Sequence, residues 1–398
     1  MRLLTLNLGS SSLKAALYTM GPAERVELRA SADRIGQPGS RLRIADANGA
    51  TLLDRPGDLG DFDAAVEALF AGLARRGLVA DLAAVGHRVV HGGRAYREPR
   101  LVDAALVAAL ERLVPLAPEH LPQALAAIRA VRRAHPALPQ VACFDTAFHR
   151  DLPRVAQIYA LPRALTEAGV IRYGFHGLSY EYVLQALRAA DPAAAEGRLI
   201  VAHLGNGASM AAIHAGRSVD TTMGLTPTGG LVMGTRTGDL DPGVLLYLLQ
   251  ARGLDAAALS QLVNQEAGLL GVSGSSGDMR DLLDREAADP AAAEAVALFC
   301  YQARKFLGAL AAALGGLDAL VFTGGIGERA APVRARICAG LEFLGLQLDA
   351  TRNAQHAPVI SADASRVVVR VVQTDEDRVI ARQTYRLLAE RGGEHVPV

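Results

Sequence analysis

Two short turns hold the residues best suited to chemistry. Gly9-Ser10-Ser11-Ser12 and Gly205-Asn206-Gly207 put small residues where backbone N–H groups can point at an anion. Lys14 follows the first turn. The chain contains 39 arginines and only two lysines, Lys14 and Lys305, so a lysine at a turn invites a reason, with chance as the alternative. A compact point charge suits a tight phosphate turn better than a rigid fork does. A third segment, Gly324-Gly325-Ile326-Gly327, stands between an expected strand and an expected helix and offers a helix N-terminus. It is neither a complete dinucleotide fingerprint nor a Walker loop. Taken singly, each turn is an ordinary connection. The repetition favours phosphate.

Arg88 lies in His87-Arg88-Val89-Val90-His91-Gly92-Gly93, and Arg236 in Met233-Gly234-Thr235-Arg236-Thr237-Gly238-Asp239. Most arginines are solvated surface residues, but one flanked by glycine and apolar residues is a better candidate for contact with an anion. His87 and His91 invite a metal reading. Their valine-rich spacer favours a strand and no third ligand is evident, so no metal is expected there. Asp145 follows an apolar stretch at 141–144, and Glu376 follows another strand. Ligands of α/β sheets gather at such carboxyl ends. Each acid is either a cap or one of the few carboxylates that magnesium takes beside water and phosphate oxygens. His176, between Phe175 and Gly177, is a candidate against the commoner reading of a satisfied core histidine.

The elements that must position these residues follow from periodicity. Residues 1–18 read as strand, turn, strand, beginning the fold rather than forming a leader segment. Residues 199–214 repeat that grammar, Leu8-Gly9 and Ala15-Ala16 matching Leu204-Gly205 and Ala211-Ala212 at a constant offset of 196. A duplicated domain is therefore expected. Helical spacing marks 62–76, 103–114, 122–135, 242–253 and 291–314, several with an Asp, Pro or Gly boundary. Strands are expected at 320–322 and 367–372. Alternating strands and helices indicate an α/β fold.

With 398 residues the chain has room for two or three domains, each with its own core. Its 41 basic and 41 acidic side chains balance, which argues against a nucleic acid or an anionic membrane as partner. No apolar run reaches the roughly 18 residues of a membrane span. Three widely spaced cysteines, Cys143, Cys300 and Cys338, fit a reducing cytosol and exclude a disulfide scaffold. The chain is expected in the cytoplasm.

Taken in order, the segments resemble the acetate kinase family, within the superfamily of acetate and sugar kinases, heat-shock chaperones and actin. The matching pieces are Asn7-Leu8-Gly9-Ser10-Ser11-Ser12-Leu13-Lys14, residues 87–93, Phe144-Asp145-Thr146-Ala147-Phe148-His149, and residues 172–177, 203–207 and 233–242. Gly277-Asp278-Met279-Arg280, residues 324–328 and Thr374-Asp375-Glu376 complete the set. The resemblance implies two duplicated actin-like (ribonuclease H-like) domains with an active-site cleft between them. The first would take 1–148 plus the closing helix 378–398, the second, nucleotide-binding, 149–377. It further implies a homodimer, ATP and ADP as co-substrates, and magnesium, replaceable by manganese. Acetyl phosphate, a step toward acetyl-CoA, would be the product of direct in-line transfer.

Carried over by resemblance, Asn7 and Glu376 would serve the metal and Lys14 the phosphate region. His203, Leu204, Gly205, Asn206 and Gly207 would contact the triphosphate. Asp278, Met279, Arg280, Gly325, Ile326, Gly327, Glu328 and Arg329 would frame the nucleoside. Arg88 and Arg236 would clamp the acyl and phosphoryl groups, His176 would steady the transferring phosphoryl, and Asp145 is the acid of the active centre. Val90, Phe175 and Pro227 would form a small apolar acyl pocket. Some residues depart from the family pattern: Glu119 replaces a leucine, Leu178 and Tyr180 alter Gly-Phe-His-Gly-Thr-Ser-His, Arg329 replaces an asparagine, and Thr228-Gly229 stands for Leu-Glu. Glu119 and Tyr180 motivate an alternative, a kinase for propionate or another small carboxylate. A nucleotide-gated actin-like protein without an acyl substrate is a third reading, opposed by Arg88, His176 and Arg236.

Overall fold

The structure is a computed structural model that describes residues 1–391. It divides into two compact units, Met1–Ala147 with the segment from Asp375 onward, and Phe148–Thr374. Unit 1 is built on β1 (Arg2–Leu8), β2 (Leu13–Thr19), β3 (Arg25–Asp33), β4 (Arg41–Asp46), β5 (Thr51–Pro56), β6 (Leu82–Val89), β7 (Arg100–Leu101) and β8 (Gln140–Phe144). They form one sheet in the order β5-β4-β3-β2-β1-β6-β8-β7. β1 runs antiparallel to β2, with Leu8 opposite Leu13, and parallel to β6. β6 runs parallel to β8.

The apolar alternation explains the layers. Leu4, Leu6 and Leu8 of β1 bury with Leu69 and Phe70 of helix Phe62–Ala74 and with Val131 of helix Leu121–Ala134. Leu3, Ala16 and Tyr18 face the other way, against Ala381 of the closing helix Glu376–Arg391. β1 is thus buried on both faces, as befits a central strand of a sheet covered by helices on both sides. Gly86 in β6 lets that helix come close, since a Cβ there would meet Ile380 at 2.6 Å.

Unit 2 carries β9 (Arg198–Leu204), β10 (Ala208–His214), β11 (Arg217–Thr221), β12 (Ala319–Thr323) and β13 (Val368–Val371), in the order β11-β10-β9-β12-β13. β9 pairs antiparallel with β10 and parallel with β12, which pairs parallel with β13. The core β3-β2-β1-β6-β8 of unit 1 has the same order and directions, so the repeated turn is part of a repeated sheet. Tyr180, Val183 and Leu187 of helix Gly177–Ala190 pack against Leu199, Val201 and Val321. Helix Pro290–Leu314, capped by Asp289 and stopped by Gly315 in the left-handed region, packs on β10. The α/β expectation holds. Among the described residues no helix is long and apolar enough to cross a membrane.

Two buried histidines give the units different acid responses. His87 in unit 1 bonds Gln140 Oε1 through Nε2 at 2.8 Å, and burial lowers its pKa to about 4. His149 in unit 2 is likewise lowered to about 4, by burial first and by Arg172, against the Phe175 carbonyl. Between pH 4 and 6.5 the unfolded chain binds these protons and the folded chain does not, so stability falls as pH falls. In unit 1 this is offset by Asp377, which burial raises to about 6, so that its folded form holds a proton that the unfolded chain has released. Lowering the pH from 7 to 4.5 is therefore expected to weaken unit 2, read by denaturant unfolding, by about 2 kcal/mol through His149. His149→Gln should remove that share of the slope. An unchanged slope in the variant would contradict it.

Candidate active site

In unit 1 three neighbouring parallel strands deliver three polar residues to one edge of the sheet. Asn7 is next to last in β1, Arg88 next to last in β6, and Asp145 directly follows β8. Carboxyl ends of parallel strands are where open α/β sheets place ligands. The Arg88 guanidinium grips the Asp145 carboxylate, from Nη2 at 2.7 Å and from Nε at 3.2 Å to both oxygens. Its Nη1 donates to Asn7 Oδ1 at 3.1 Å and lies 3.2 Å from Glu376 Oε2. Asn7 Nδ2 donates to the same Glu376 oxygen at 2.8 Å. The Asp145 side chain is fully buried, while those of Arg88 and Glu376 keep 15% and 12% exposure. The cation and Glu376 thus retain an edge a ligand can reach, and Asp145 has none.

Burial opposes the charge of Arg88, yet Asp145 and Glu376 together hold its pKa above the ordinary arginine value. It is a permanent cation. Glu376 opens its helix together with Asp377, placing acids in the first turn, where the dipole favours them. Thr5 donates to Asp377 at 2.9 Å, and Arg29 pairs with Asp375 at 2.9 Å. These neighbours hold Glu376 in register. Lys14 is exposed on β2 directly opposite Asn7, and opposed residues share a face. Val90 is buried just beyond β6.

In unit 2 the repeated turn is closed by Gly205 N–H on the Gly207 carbonyl at 3.1 Å. Two side chains converge on it. A Cβ on Gly207 would lie 3.2 Å from His176 Nε2 and 3.3 Å from Arg236 Nη2, so glycine leaves the space an anion would need. Arg236 is steadied by Nη1 on the Pro227 carbonyl at 2.7 Å. His176 sits at φ 57° in the left-handed region, before helix Gly177–Ala190, a placement costing a non-glycine residue roughly 1–2 kcal/mol. The preceding residue is pinned: His149 Nε2 donates to the Phe175 carbonyl at 3.0 Å, and its Nδ1 meets the Ser218 hydroxyl at 2.7 Å. Because a carbonyl only accepts, the proton of His149 is on Nε2.

His203, at the end of β9, stacks on His176 with ring centroids 4.3 Å apart. Its Nδ1 meets Ser179 Oγ at 2.8 Å, and Ser179 donates to Thr374 at 3.0 Å. The Asn206 carbonyl accepts from Gly234 N–H at 3.0 Å, and a Cβ on Gly277, beside Asp278, would meet the Gly234 carbonyl at 2.8 Å. The third turn joins them from β12. Gly324, at φ +76°, brings helix Gly324–Arg329 against the end of β9, where a Cβ would meet the Leu204 carbonyl at 2.7 Å. The Gly205-Asn206-Gly207 turn, Gly234 and Gly325 thus meet within unit 2, beside Leu204 and Gly277.

Other sequence candidates are turned to local tasks. Asp278 caps its own helix, accepting from the Arg280 N–H at 2.8 Å, and Met279 is buried. The Glu328 carboxylate accepts from the N–H groups of Gly324 and Thr374 at 3.1 and 3.2 Å. It braces the turn. Gly325 has open space where a Cβ would stand, and Ile326 is half-buried and Arg329 exposed on the same short helix as the buried Gly327. Phe175 and Pro227 are buried. Sequence reasoning missed Arg334, fully buried, which donates to the carbonyls of Gly327 and Glu328 at 2.8 and 2.9 Å and to Asn353 twice at 2.8 Å. Among the described residues it bonds no carboxylate, and burial lowers its pKa to about 10. Its charge rests on the carbonyl end of the third-turn helix, which favours a cation. It also missed His149 and Ser209; only the surrounding polar motif marks the first, and nothing local marks the second.

Comparison with known proteins gives a consistent answer. The profile of the Acetokinase family matches residues 2–382. An acetate kinase of Rhodopseudomonas palustris is 49% identical over 391 residues, 97% of this chain and 98% of that protein. An acetate kinase of Porphyromonas gingivalis, known as a crystal structure, is 39% identical with a TM-score of 0.86, covering 97% of this chain and 99% of that one. The crystal structure of a propionate kinase from Francisella tularensis is 35% identical with a TM-score of 0.89, covering 96% and 98%.

Proposed function

The chain belongs to the acetokinase family, and from that premise we propose how its two sets of residues move a phosphoryl group between a nucleotide and acetate. The fold is the two-domain actin-like fold of that family, and the activity is that of a kinase with a carboxylate acceptor. The observation that carries the mechanism is the Arg88 fork, gripped by a buried Asp145 and touching Asn7 and Glu376. A carboxylate acceptor is already ionised at pH 7, so no proton has to be removed from it. The obstacle is bringing two anions into line, and positioning with fixed cations is what lowers that barrier.

Arg88 meets the acetate carboxylate. Asp145 fixes the fork and takes no proton from the substrate. Arg236 and His176 donate to the phosphoryl group at the Gly205-Asn206-Gly207 turn, and Lys14 adds a point charge to the phosphate region. Val90, Phe175 and Pro227 take the methyl group. Asn7 and Glu376 would hold magnesium, an amide oxygen and one carboxylate being the hard oxygen donors that such an ion takes beside water and phosphate. When bound, the ion would neutralise charge on the phosphate oxygens. Glu328 and Asp278 act through the backbone, leaving the nucleoside to Gly325, Ile326, Arg280 and Arg329.

Acetate is favoured over propionate as acceptor by the near full-length relatives at 49% identity, named acetate kinases. Release of ADP from Mg-ATP, measured against acetate, propionate, butyrate and glucose, tests the assignment. Fastest turnover with acetate is expected. Turnover with glucose alone would overturn it.

A homodimer is supported by helix Pro242–Ala251, which is apolar yet has no buried residue. Leu240, Val244, Leu246 and Tyr247 expose 40–55% of their surface, a patch of the kind that marks a protein interface. Leu246→Asp with Tyr247→Glu should halve the mass found by sedimentation, and a wild-type monomer would refute the dimer. A cytoplasmic setting is supported by three buried cysteines, none of them in a disulfide.

A further inference from the structure

Tyr180 stands where the resemblance leads one to expect a histidine, and the structure gives its hydroxyl a task. Tyr180 is completely buried in helix Gly177–Ala190. Its phenol oxygen hydrogen-bonds Ser209 Oγ on β10, and that same hydroxyl lies 2.8 Å from His176 Nδ1. Ser209 is also fully buried. A serine hydroxyl has one proton, and leaving it unsatisfied when buried would be costly, so between these two neighbours it donates to one and accepts from the other. In one order the proton of Tyr180 goes to Ser209 and that of Ser209 to His176 Nδ1. In the other, His176 Nδ1–H donates to Ser209 and Ser209 to Tyr180.

Chemistry selects the first order. A phenol is a stronger donor and a weaker acceptor than an aliphatic hydroxyl, and a neutral imidazole nitrogen is the strongest acceptor of the three. We propose that Tyr180, acting through Ser209, is a positioning residue that keeps the His176 proton on Nε2, the nitrogen facing the Gly205-Asn206-Gly207 turn. The inference rests on the reading of that turn as the phosphoryl site. An anion there can be met only by a nitrogen that carries hydrogen, so the tautomer decides whether His176 attracts or repels it.

The charged and titratable groups around His176 include His203 on β9, stacked on its ring, Arg236 from the 233–239 loop, Tyr180 on its own helix, and His149, whose ring lies 5.6 Å from that of Tyr180. Arg236 opposes a positive charge on the ring. The tautomer matters in the neutral form of the imidazole, where only one nitrogen carries hydrogen. The stacked His203 has its own hydroxyl partner in Ser179, one residue before Tyr180. Successive residues of one helix thus buttress the two rings separately.

The test is ¹⁵N NMR of the full-length protein with labelled histidine, beside steady-state kinetics of Tyr180→Phe. The wild type should show hydrogen on Nε2 of His176, and Tyr180→Phe should move population to Nδ1. Turnover in the variant should fall on the order of 10²-fold, the effect of losing one preorganised donor, with KM for acetate and nucleotide changed less than about twofold, because binding does not depend on one donor alone. Wild-type turnover in Tyr180→Phe, or a wild-type ring protonated on Nδ1, would overturn the proposal. The wild-type spectrum needs no variant to fold, and Ser209→Ala supplies a second interruption of the same relay. If the wild type makes no acyl phosphate, the functional reading falls, while the tautomer is still decided by the spectrum.

Discussion

Arg88→Ala is expected to remove nearly all activity and to destabilise unit 1 at once. The variant deletes the cation that meets the acceptor carboxylate, and loss of one preorganised donor costs about 2.7–4 kcal/mol of barrier, roughly 10²–10³ in turnover. It also leaves Asp145, with no exposed surface, without the partner that grips both its oxygens. Breaking a buried pair from one side costs about 3–5 kcal/mol of stability. Steady-state rates and denaturant midpoints separate the two losses. Arg88→Lys keeps a charge but not the fork, so it should recover much of the stability and little of the rate. An alanine variant with near-normal turnover would remove Arg88 from the chemistry.

Asp145→Asn tests what the carboxylate is for. The amide is nearly the same size, but it presents one acceptor oxygen and turns an NH2 group toward a guanidinium that can only donate. The fork should lose its alignment, and turnover should fall on the order of 10²-fold, as for other displaced preorganised donors. The decisive reading is the pH profile from 6 to 9. The acceptor brings no proton to remove, so wild type and variant should run parallel. If the wild type showed an acid limb that Asp145→Asn abolished, Asp145 would be a base and the positioning account would fail.

Much of this was legible because the signals are local. The strand–glycine turn–strand pattern at residues 1–18 and 199–214 is a short-range property of alternation and turn chemistry. The repeated sheet order around β1 and β9 is its three-dimensional consequence. Helices with caps and stops also showed plainly, as at Asp241-Pro242 and Gly315. Strands β3 to β5 were not read: β3 and β4 do alternate, with Leu28, Ala30 and Ala32 and then Leu42 and Ile44 buried, but over short arginine-rich runs, and the edge strand β5 is mostly exposed.

The site was legible to a different depth. Glycine-flanked Arg88 and Arg236 advertised themselves against a background of 39 arginines, and Asp145 did so by following an apolar strand. What sequence could not give was who bonds whom. Glu328 and Asp278 belong to motifs that read as nucleoside contacts, yet their carboxylates serve backbone N–H groups. Arg334 reads as one more arginine on a short helix and proves to be buried under the third turn. Ser209 and Tyr180 sit 29 residues apart and meet only because β10 and helix Gly177–Ala190 pack together. Partnerships across elements are tertiary facts, and no local spacing encodes them.

The measurement closest to the central claim is trapping of the product with hydroxylamine after incubating the protein with Mg-ATP and acetate. Acetyl hydroxamate should form in proportion to the ADP released, and should depend on acetate and nucleotide together. Nucleotide binding with no hydroxamate from any small carboxylate would leave the actin-like fold in place and contradict the assignment of Arg88, Arg236 and His176 to phosphoryl transfer onto an acyl oxygen.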